Sequence, residues 1–202
     1  NDVSGASDDP GMLALAASSG AGLVLMHRLR PPAADVYSDR YAAPPEYGPD
    51  PVAGGRGESG GVVAHVRAFL AARLRAALDA GVAPERILLD PGLGFGKSVE
   101  QNLDLLRATP ELLALGRPVL SALSRKSFVA RVGLARDSDP AERLPATLAL
   151  SLLHLHAGAR LFRVHDVAEH AQALRAAWAC LSAPGGPQGA GPAEPRSPRA
   201  AG

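Results

Sequence analysis

The sequence predicts an α/β protein in which short parallel strands are joined by helical crossovers. Two observations carry that expectation. Apolar runs of strand length alternate with longer stretches of helical period, and the longer stretches open on readable helix-start signals.

Taken in order, residues 1–3 read as the tail of one strand and Leu23–Met26 as the next. Residues 30–61 are rich in Pro, Gly and Tyr and have no period, which predicts a long, mobile excursion after that strand. Val62, Val66, Leu70, Leu74 and Leu78 then recur every fourth residue with Phe69 alongside, giving a helix whose apolar stripe ends at Gly81 as a C-cap. Residues 87–89 form a buried strand, and Ser98 with Gln101 has capping-box spacing for the helix after it. Residues 119–123 give another strand. Asp139, Pro140 and Glu142 mark a helix start, and Leu144, Leu148, Leu152 and Leu155 supply its stripe before Gly158. Residues 161–164 are the last strand, with Asp166 and Glu169 as the capping pair that follows. Residues 183–202 are almost all Pro, Gly, Ala, Ser and Arg, a tail too poor in apolar side chains to fold, so the expected domain is 1–182. The chain thus holds about four and a half strand-helix units, whereas a closed barrel needs eight strands and ~250 residues. An open doubly wound sheet is also compatible with the strand count.

Composition narrows the function classes. A hydrophobic fraction of 47% with 20% charged residues is the balance of a folded globular chain. The net charge of +1, from 21 basic and 20 acidic residues, gives no general attraction for nucleic acid or an anionic membrane, so any anion has to be bound locally. Cys180 is the only cysteine, which excludes an internal disulfide and a cysteine zinc cluster; it reads as a small apolar group on a helix. No run approaches the ~20 apolar residues of a membrane span and no signal-peptide pattern opens the chain, so a cytoplasmic location is expected. The first residues are Asn1 and Asp2 rather than Met, which predicts a beginning farther upstream.

Three motifs carry chemistry. ILLDPGLGFGK (87–97) delivers Asp90 at a strand end, where parallel sheets bind ligands, and follows it with glycines that let backbone approach a ligand. A carboxylate there can accept two parallel N–H bonds from a flat, donor-rich heterocycle, although a turn cap is the competing reading. LSRKSF (123–128) ends the next strand. Lys126 is one of only two lysines, with Lys97, among 21 basic residues, so arginine would be expected there by composition. A compact ammonium reaches ring nitrogen and carbonyl acceptors where a planar guanidinium does not fit, and Ser127 opening a helix would seat a small carboxylate. A surface Arg-Lys pair accounts for the same residues equally well. FRVHD (162–166) places Arg163 and His165 two residues apart, hence on one face of a strand, as the outline of a phosphate clamp. Asn1 at a strand end could bond a ligand edge, and Met26 could pack on a flat ring. His65, His154, His156 and His170 lie in helical stretches and receive no role.

In order and spacing, NDVSG, VLMH, LLDPGLGFGK, LSRKSF, ERL and FRVHDVAE resemble the dihydropteroate synthases from the fourth barrel strand to the eighth, over residues 1 to about 182. The resemblance implies a partial TIM (β/α)8 barrel and the condensation of 7,8-dihydropterin-6-ylmethyl diphosphate with 4-aminobenzoate to 7,8-dihydropteroate. It implies that Asn1, Asp90 and Lys126 hold the pterin with Met26 and Phe95 lining its pocket. Arg163 and His165 would take the diphosphate, and Ser127 with Lys126 would lie near the 4-aminobenzoate. It further implies magnesium as cofactor, a homodimer, and a metal ligand in family strands that precede residue 1. Ala122, where the family commonly has glycine, and Ala146 depart from its pattern and would tighten the pocket, and the 30–61 excursion is longer and richer in proline than usual. Two other readings remain: a pterin-binding methyltransferase module, which has no diphosphate for the SRKS and RVHD motifs to clamp, and a non-catalytic truncated remnant. Half a barrel is expected to catalyse poorly and to expose strand edges.

Overall fold

The computed structural model describes residues 1–47 and 61–182. The expected tail at 183–202 and the 48–60 part of the excursion lie outside the described residues. After residues 1–3 comes helix α1 (Met12–Ser19), which no sequence signal announces; it stops at Gly20, in the left-handed region at φ 66°. Strand β1 (Leu23–Met26), helix α2 (Val62–Asp79), strand β2 (Ile87–Asp90), helices α3 (Val99–Arg107) and α4 (Thr109–Leu113) and strand β3 (Leu120–Ser121) follow. Helices α5 (Ser127–Leu134) and α6 (Leu144–His156), strand β4 (Leu161–Phe162) and helix α7 (Val167–Leu181) complete the order.

The strands are parallel. β1 pairs with β2 in the register Leu23–Ile87 to Met26–Asp90, and β3 pairs with β4 from Leu120–Leu161 to Ser121–Phe162. A bridge between Leu89 and Val119 joins the two pairs, and Asp2 bridges Leu25 on the other side of β1. The lateral order is therefore Asp2, β1, β2, β3, β4, and every member points its C-terminal end the same way. Parallel strands are stable when both faces are covered. Leu23, Leu25, Ile87, Leu89 and Val119 are accordingly buried, packed in one cluster with Val62, Val66, Leu70 and Leu74 of α2 and with Phe128 of α5. The predicted α2 stripe is thus core-facing except at Leu78, which is exposed where the helix runs out toward Gly81. No helix among the described residues is long and apolar enough to cross a membrane.

The last two strands are shorter than the apolar runs predicted. The ladder closes where Arg163 N donates to Ser121 O at 2.9 Å, and one step later His165 N donates to the Ser124 hydroxyl at 3.2 Å. A side chain replaces the main-chain acceptor there, so pairing ends before Leu123 and Val164. Residues 1–3 likewise contribute one bridge instead of a strand.

Helix α6 also turns a different face inward. Its buried residues are Thr147, Leu150, Ser151, His154 and Leu155, while Leu144, Leu148 and Leu152 are only half-buried. Polar pairing makes this possible: His154 Nδ1 meets Ser121 Oγ at 2.9 Å, Ser151 Oγ meets His170 Nε2 at 3.3 Å, and Thr147 Oγ1 accepts from Arg125 N at 3.3 Å. Counting leucines could not reveal a face whose polar residues each find a hydrogen-bond partner, although the buried Nε2 of His154 has none.

The capping expectations divide. Ser98 N donates to Gln101 Oε1 at 2.9 Å and Gln101 N to Ser98 Oγ at 3.3 Å, a complete capping box. Asp139 and Glu142 form theirs around a 3₁₀ turn, Pro140–Arg143, ahead of α6. Asp166 makes no cap bond, because its carboxylate is taken by Arg125. Cys180 is exposed on α7 instead of filling an apolar contact.

The described part of the excursion is anchored, contrary to the expectation of mobility. It contains two 3₁₀ turns, Pro32–Ala34 and Ser38–Arg40. Ser38 Oγ accepts from Asn102 Nδ2 at 3.0 Å, and the Tyr47 hydroxyl donates to Gly96 O at 2.6 Å.

Candidate functional site

Because β1, β2, β3 and β4 are parallel, the segments leaving them gather at one end of the sheet. The segment after β2, Pro91 to Gly96, turns through three glycines in the left-handed region. Gly92 shows why glycine is required: a Cβ there would stand 1.7 Å from His27 O. Side chains satisfy the amides of all three glycines. Gly92 N donates to Asp90 Oδ1 at 2.7 Å, Gly94 N to Asn102 Oδ1 at 2.6 Å and Gly96 N to Asp35 Oδ2 at 2.6 Å.

Asp90 itself is 1% exposed. Its Oδ1 is occupied by Gly92, while its buried Oδ2 has no hydrogen-bond partner. Burial raises the carboxyl above the ordinary range, opposed by the positive charges of Lys126, Arg163 and Lys97. An unsatisfied buried acceptor is costly unless a ligand completes it.

Lys126 N-caps α5 and sends its ammonium back toward the glycine segment. Nζ donates to Leu93 O and lies 4.6 Å from the centroid of the Phe95 ring, a cation over an aromatic face. Burial lowers its pKa to about 8, with Asp90 pulling the other way and Arg163 adding to the lowering. Arg125, just before it, adopts a left-handed backbone at φ 60° and pairs with Asp166.

Two cavities adjoin Lys126. The smaller, of about 170 Å³, is lined by Ala122, Ser124, Lys126, Arg163, Val164 and His165. Arg163 and His165 thus converge as the strand spacing predicts, with His165 held by Ser124 Oγ at 3.1 Å from Nδ1. Ala122, the departure from glycine, forms part of that wall. The larger cavity, of about 580 Å³, is bordered by Phe95, Lys126, Ser127 and His165 together with Tyr37, Arg40 and Arg143. Lysine, arginine and imidazole around a small concavity favour an anion, and the larger space beside an aromatic ring and a helix start suits a flat carboxylate-bearing molecule.

Lys126, Phe95, Ser127, Arg163 and His165 therefore meet around adjoining spaces, whereas Asp90 borders neither cavity and is linked to Lys126 and Arg163 through their charge. Met26 is fully buried opposite Asp90 in the β1–β2 register and borders neither cavity. Asn1 is exposed beside β1 and borders neither cavity. Among the described residues no group of three or more His, Cys, Asp or Glu is placed to hold a metal ion.

Sequence reasoning gives no role to Lys97 or His27, which lie buried behind the glycine segment. Their Nζ and Nδ1 are 3.0 Å apart, and burial lowers Lys97 to about 7 and His27 to about 2. The scarcity of lysine is a signal for Lys97 as much as for Lys126. No pattern points to Asp35 and Tyr47, which reach Gly96 from an aperiodic segment.

Comparison with known proteins adds a common theme. The family model described as pterin binding enzyme matches residues 1–165. The dihydropteroate synthase of Mycobacterium leprae is 41% identical over 199 residues, covering 93% of this chain and 61% of the relative. That of Synechocystis sp. is 38% identical over 178 residues, covering 88% and 54%. Among solved structures, dihydropteroate synthase from Stenotrophomonas maltophilia with imidazole in its active site superposes with a TM-score of 0.75 at 36% identity, over 91% of this chain and 62% of that one. The Thermus thermophilus enzyme in complex with 6HMPPP gives 0.70 at 42% identity, over 89% and 62%. The chain spans between 54% and 61% of the length of these two curated relatives.

Proposed function

Because this chain belongs to the pterin binding enzyme family, we propose that it carries the substrate-binding half of a dihydropteroate synthase of folate biosynthesis. The reaction is condensation of 7,8-dihydropterin-6-ylmethyl diphosphate with 4-aminobenzoate, releasing diphosphate. The fold that goes with this reading is a partial (β/α)8 barrel of about four and a half strand-helix units, supported by the unbroken parallel order from Asp2 to β4. A homodimer and a cytoplasmic location belong to the same reading; exposed Val167 and Trp178 on α7 leave apolar surface for a partner copy.

The observation that carries the reading is an unpartnered, buried Asp90 Oδ2 that feels the positive charges of Lys126 and Arg163, two residues that line the smaller cavity with His165. A pterin has adjacent ring and exocyclic N–H donors that suit such a carboxylate, and its ring acceptors suit a lysine. Phe95 and Met26 would flank the ring and Asn1 would bond its edge. Arg163 and His165 would hold the diphosphate and stabilise the charge that gathers on it as the bond to the pterin methylene breaks. Ser127 and the first N–H groups of α5 would seat the 4-aminobenzoate carboxylate and so aim its amine at that carbon. Magnesium is expected with a diphosphate; among the described residues no group of three or more His, Cys, Asp or Glu is placed to hold it.

The SRKS and RVHD side chains lining an anion-sized cavity favour this reading over a methyltransferase module. Its test is titration of the pterin diphosphate into the chain, followed by assay of turnover with 4-aminobenzoate. Arg163→Ala should abolish binding of the diphosphate form, and Lys126→Ala should abolish turnover. Near-wild-type kinetics in either variant would count against the assignment.

A further inference from the structure

Lys97 is among the largest fully buried side chains of the described residues, and nothing in the proposed chemistry uses it. Its ammonium has three neighbours at hydrogen-bond distance: Gly92 O at 3.0 Å, Phe95 O at 2.8 Å and His27 Nδ1 at 3.0 Å. Below about pH 7, where Lys97 holds its proton, the ammonium has three protons and each has an acceptor. The two carbonyls come from opposite ends of the glycine turn, and His27 comes from the residue after β1. His27 is itself fixed: its N donates to Asp90 O at 3.0 Å, and its ring packs edge-on against Phe69 and His65 with centroids 5.0 and 5.4 Å away.

We propose that Lys97 is a positioning residue, a buried three-point tie that holds the Gly92–Gly96 turn against β1 so that Leu93 O, the Phe95 ring and Asp90 Oδ2 keep fixed positions around Lys126. The turn has no ladder to hold it: Phe95 N donates to Gly92 O at 3.0 Å within the turn, the amides of Gly92, Gly94 and Gly96 go to Asp90, Asn102 and Asp35, and the outer carbonyl accepts from Tyr47. Each of those side chains touches one point of the turn, whereas Lys97 reaches both Gly92 O and Phe95 O and ties them to His27 after β1. Geometry also explains why lysine stands here in a chain that elsewhere, Lys126 apart, uses arginine. A planar guanidinium cannot direct its donors at three acceptors arranged around a single nitrogen, and it is too large for a site with no exposure. The tie matters for pterin binding only on the reading above; the hold on the turn does not depend on it.

The experiment is amide hydrogen exchange over Gly92–Gly96 in the full chain, comparing wild type with Lys97→Met, Lys97→Arg and His27→Phe. Loss of the tie should speed exchange of the turn by about tenfold or more in Lys97→Met, the scale set by buried groups left unpaired, while α2 amides keep their rates. Lys97→Arg should fail to restore slow exchange. His27→Phe keeps a ring in the aromatic cluster and removes one acceptor, so it should give a smaller acceleration in the same segment; it decides the matter should Lys97→Met not fold. Wild-type exchange of the turn in the folded variants overturns the proposal. Pterin diphosphate titration of the same proteins separates the two claims. A wild-type chain that binds no pterin defeats the functional reading and leaves the exchange result to decide the tie. Fast exchange with undiminished pterin affinity overturns the positioning role.

Discussion

Arg125 clasps Asp166 through both carboxylate oxygens: Nε donates to Oδ2 at 3.0 Å and Nη2 donates to Oδ1. The pair joins the segment after β3, which bears Lys126 and Ser127, to the segment after β4, which bears Arg163 and His165. Arg125 adopts its left-handed backbone because its surroundings dictate it, with Arg125 N bound to Thr147 Oγ1 and Arg125 O accepting from Arg143 Nη1 at 2.8 Å.

Asp166→Asn keeps the shape of that contact and removes its charge, and Asp166→Ala removes both. With the two segments no longer held in register, inorganic diphosphate should bind about tenfold to a hundredfold more weakly in Asp166→Ala, the cost of displacing contacting groups by a fraction of their spacing. Asp166→Asn should lie between. Titration calorimetry measures this, and unchanged affinity in Asp166→Ala would show that the loops are held independently.

How far this is legible in sequence depends on where the information sits. The strand ends are readable because a buried run followed by Asp, Ser-Arg-Lys or Arg-Val-His is a local pattern, and parallel topology does the rest. Asp166 reads as a cap because local spacing allows it, whereas its partner Arg125 is 41 residues away. Asp35 and Tyr47 are opaque for the same reason: each is defined by which backbone group it meets, and no periodicity encodes that; the scarcity of lysine flags Lys97 without telling which groups it meets. The inward face of α6 escapes a leucine count because Thr147, Ser151 and His154 are buried through hydrogen bonds to Arg125, His170 and Ser121 that a hydrophobic period cannot register.

Two glycines in one turn should fail in different ways. Alanine at Gly92 would place Cβ 1.7 Å from His27 O, a backbone atom, at φ 67°. The main chain would have to move, costing ~3 kcal/mol or more from left-handed strain and overpacking together. Alanine at Gly94 meets Lys126 Cδ at 2.8 Å, and that side chain can swing aside. Gly94→Ala should therefore lose only ~1–2 kcal/mol, for its positive φ, yet weaken pterin binding by displacing Lys126. Urea unfolding beside ligand titration distinguishes them; equal stability losses would contradict the clash geometry.

Stability should rise with pH from about 7 toward 10. Burial lowers Lys97 to about 7 and Lys126 to about 8 from 10.5, so between those values the unfolded chain holds protons that the folded one has released. Unfolding then takes up protons, and raising pH disfavours it. The gain ends near the unfolded lysine value, and Tyr41, raised by burial to about 12, reverses the slope once unfolded tyrosine ionises above 10. At ~1.4 kcal/mol per unit, Lys97 alone has a ceiling of ~5 kcal/mol. The two lysines share Asp90 as their counter-charge, so the observed rise should be on the order of a few kcal/mol. On the acid side His27 and His154, lowered to about 2 and about 4, make stability fall below pH 6.5, partly offset by Asp90, whose raised carboxyl favours the folded state at low pH. Urea unfolding at pH 7, 8, 9 and 10 reads the alkaline limb directly. Lys97→Met should make it shallower, because only Lys126 is then left to release its proton on folding, and a slope equal to wild type would mean that Lys97 keeps its ordinary proton affinity in the fold.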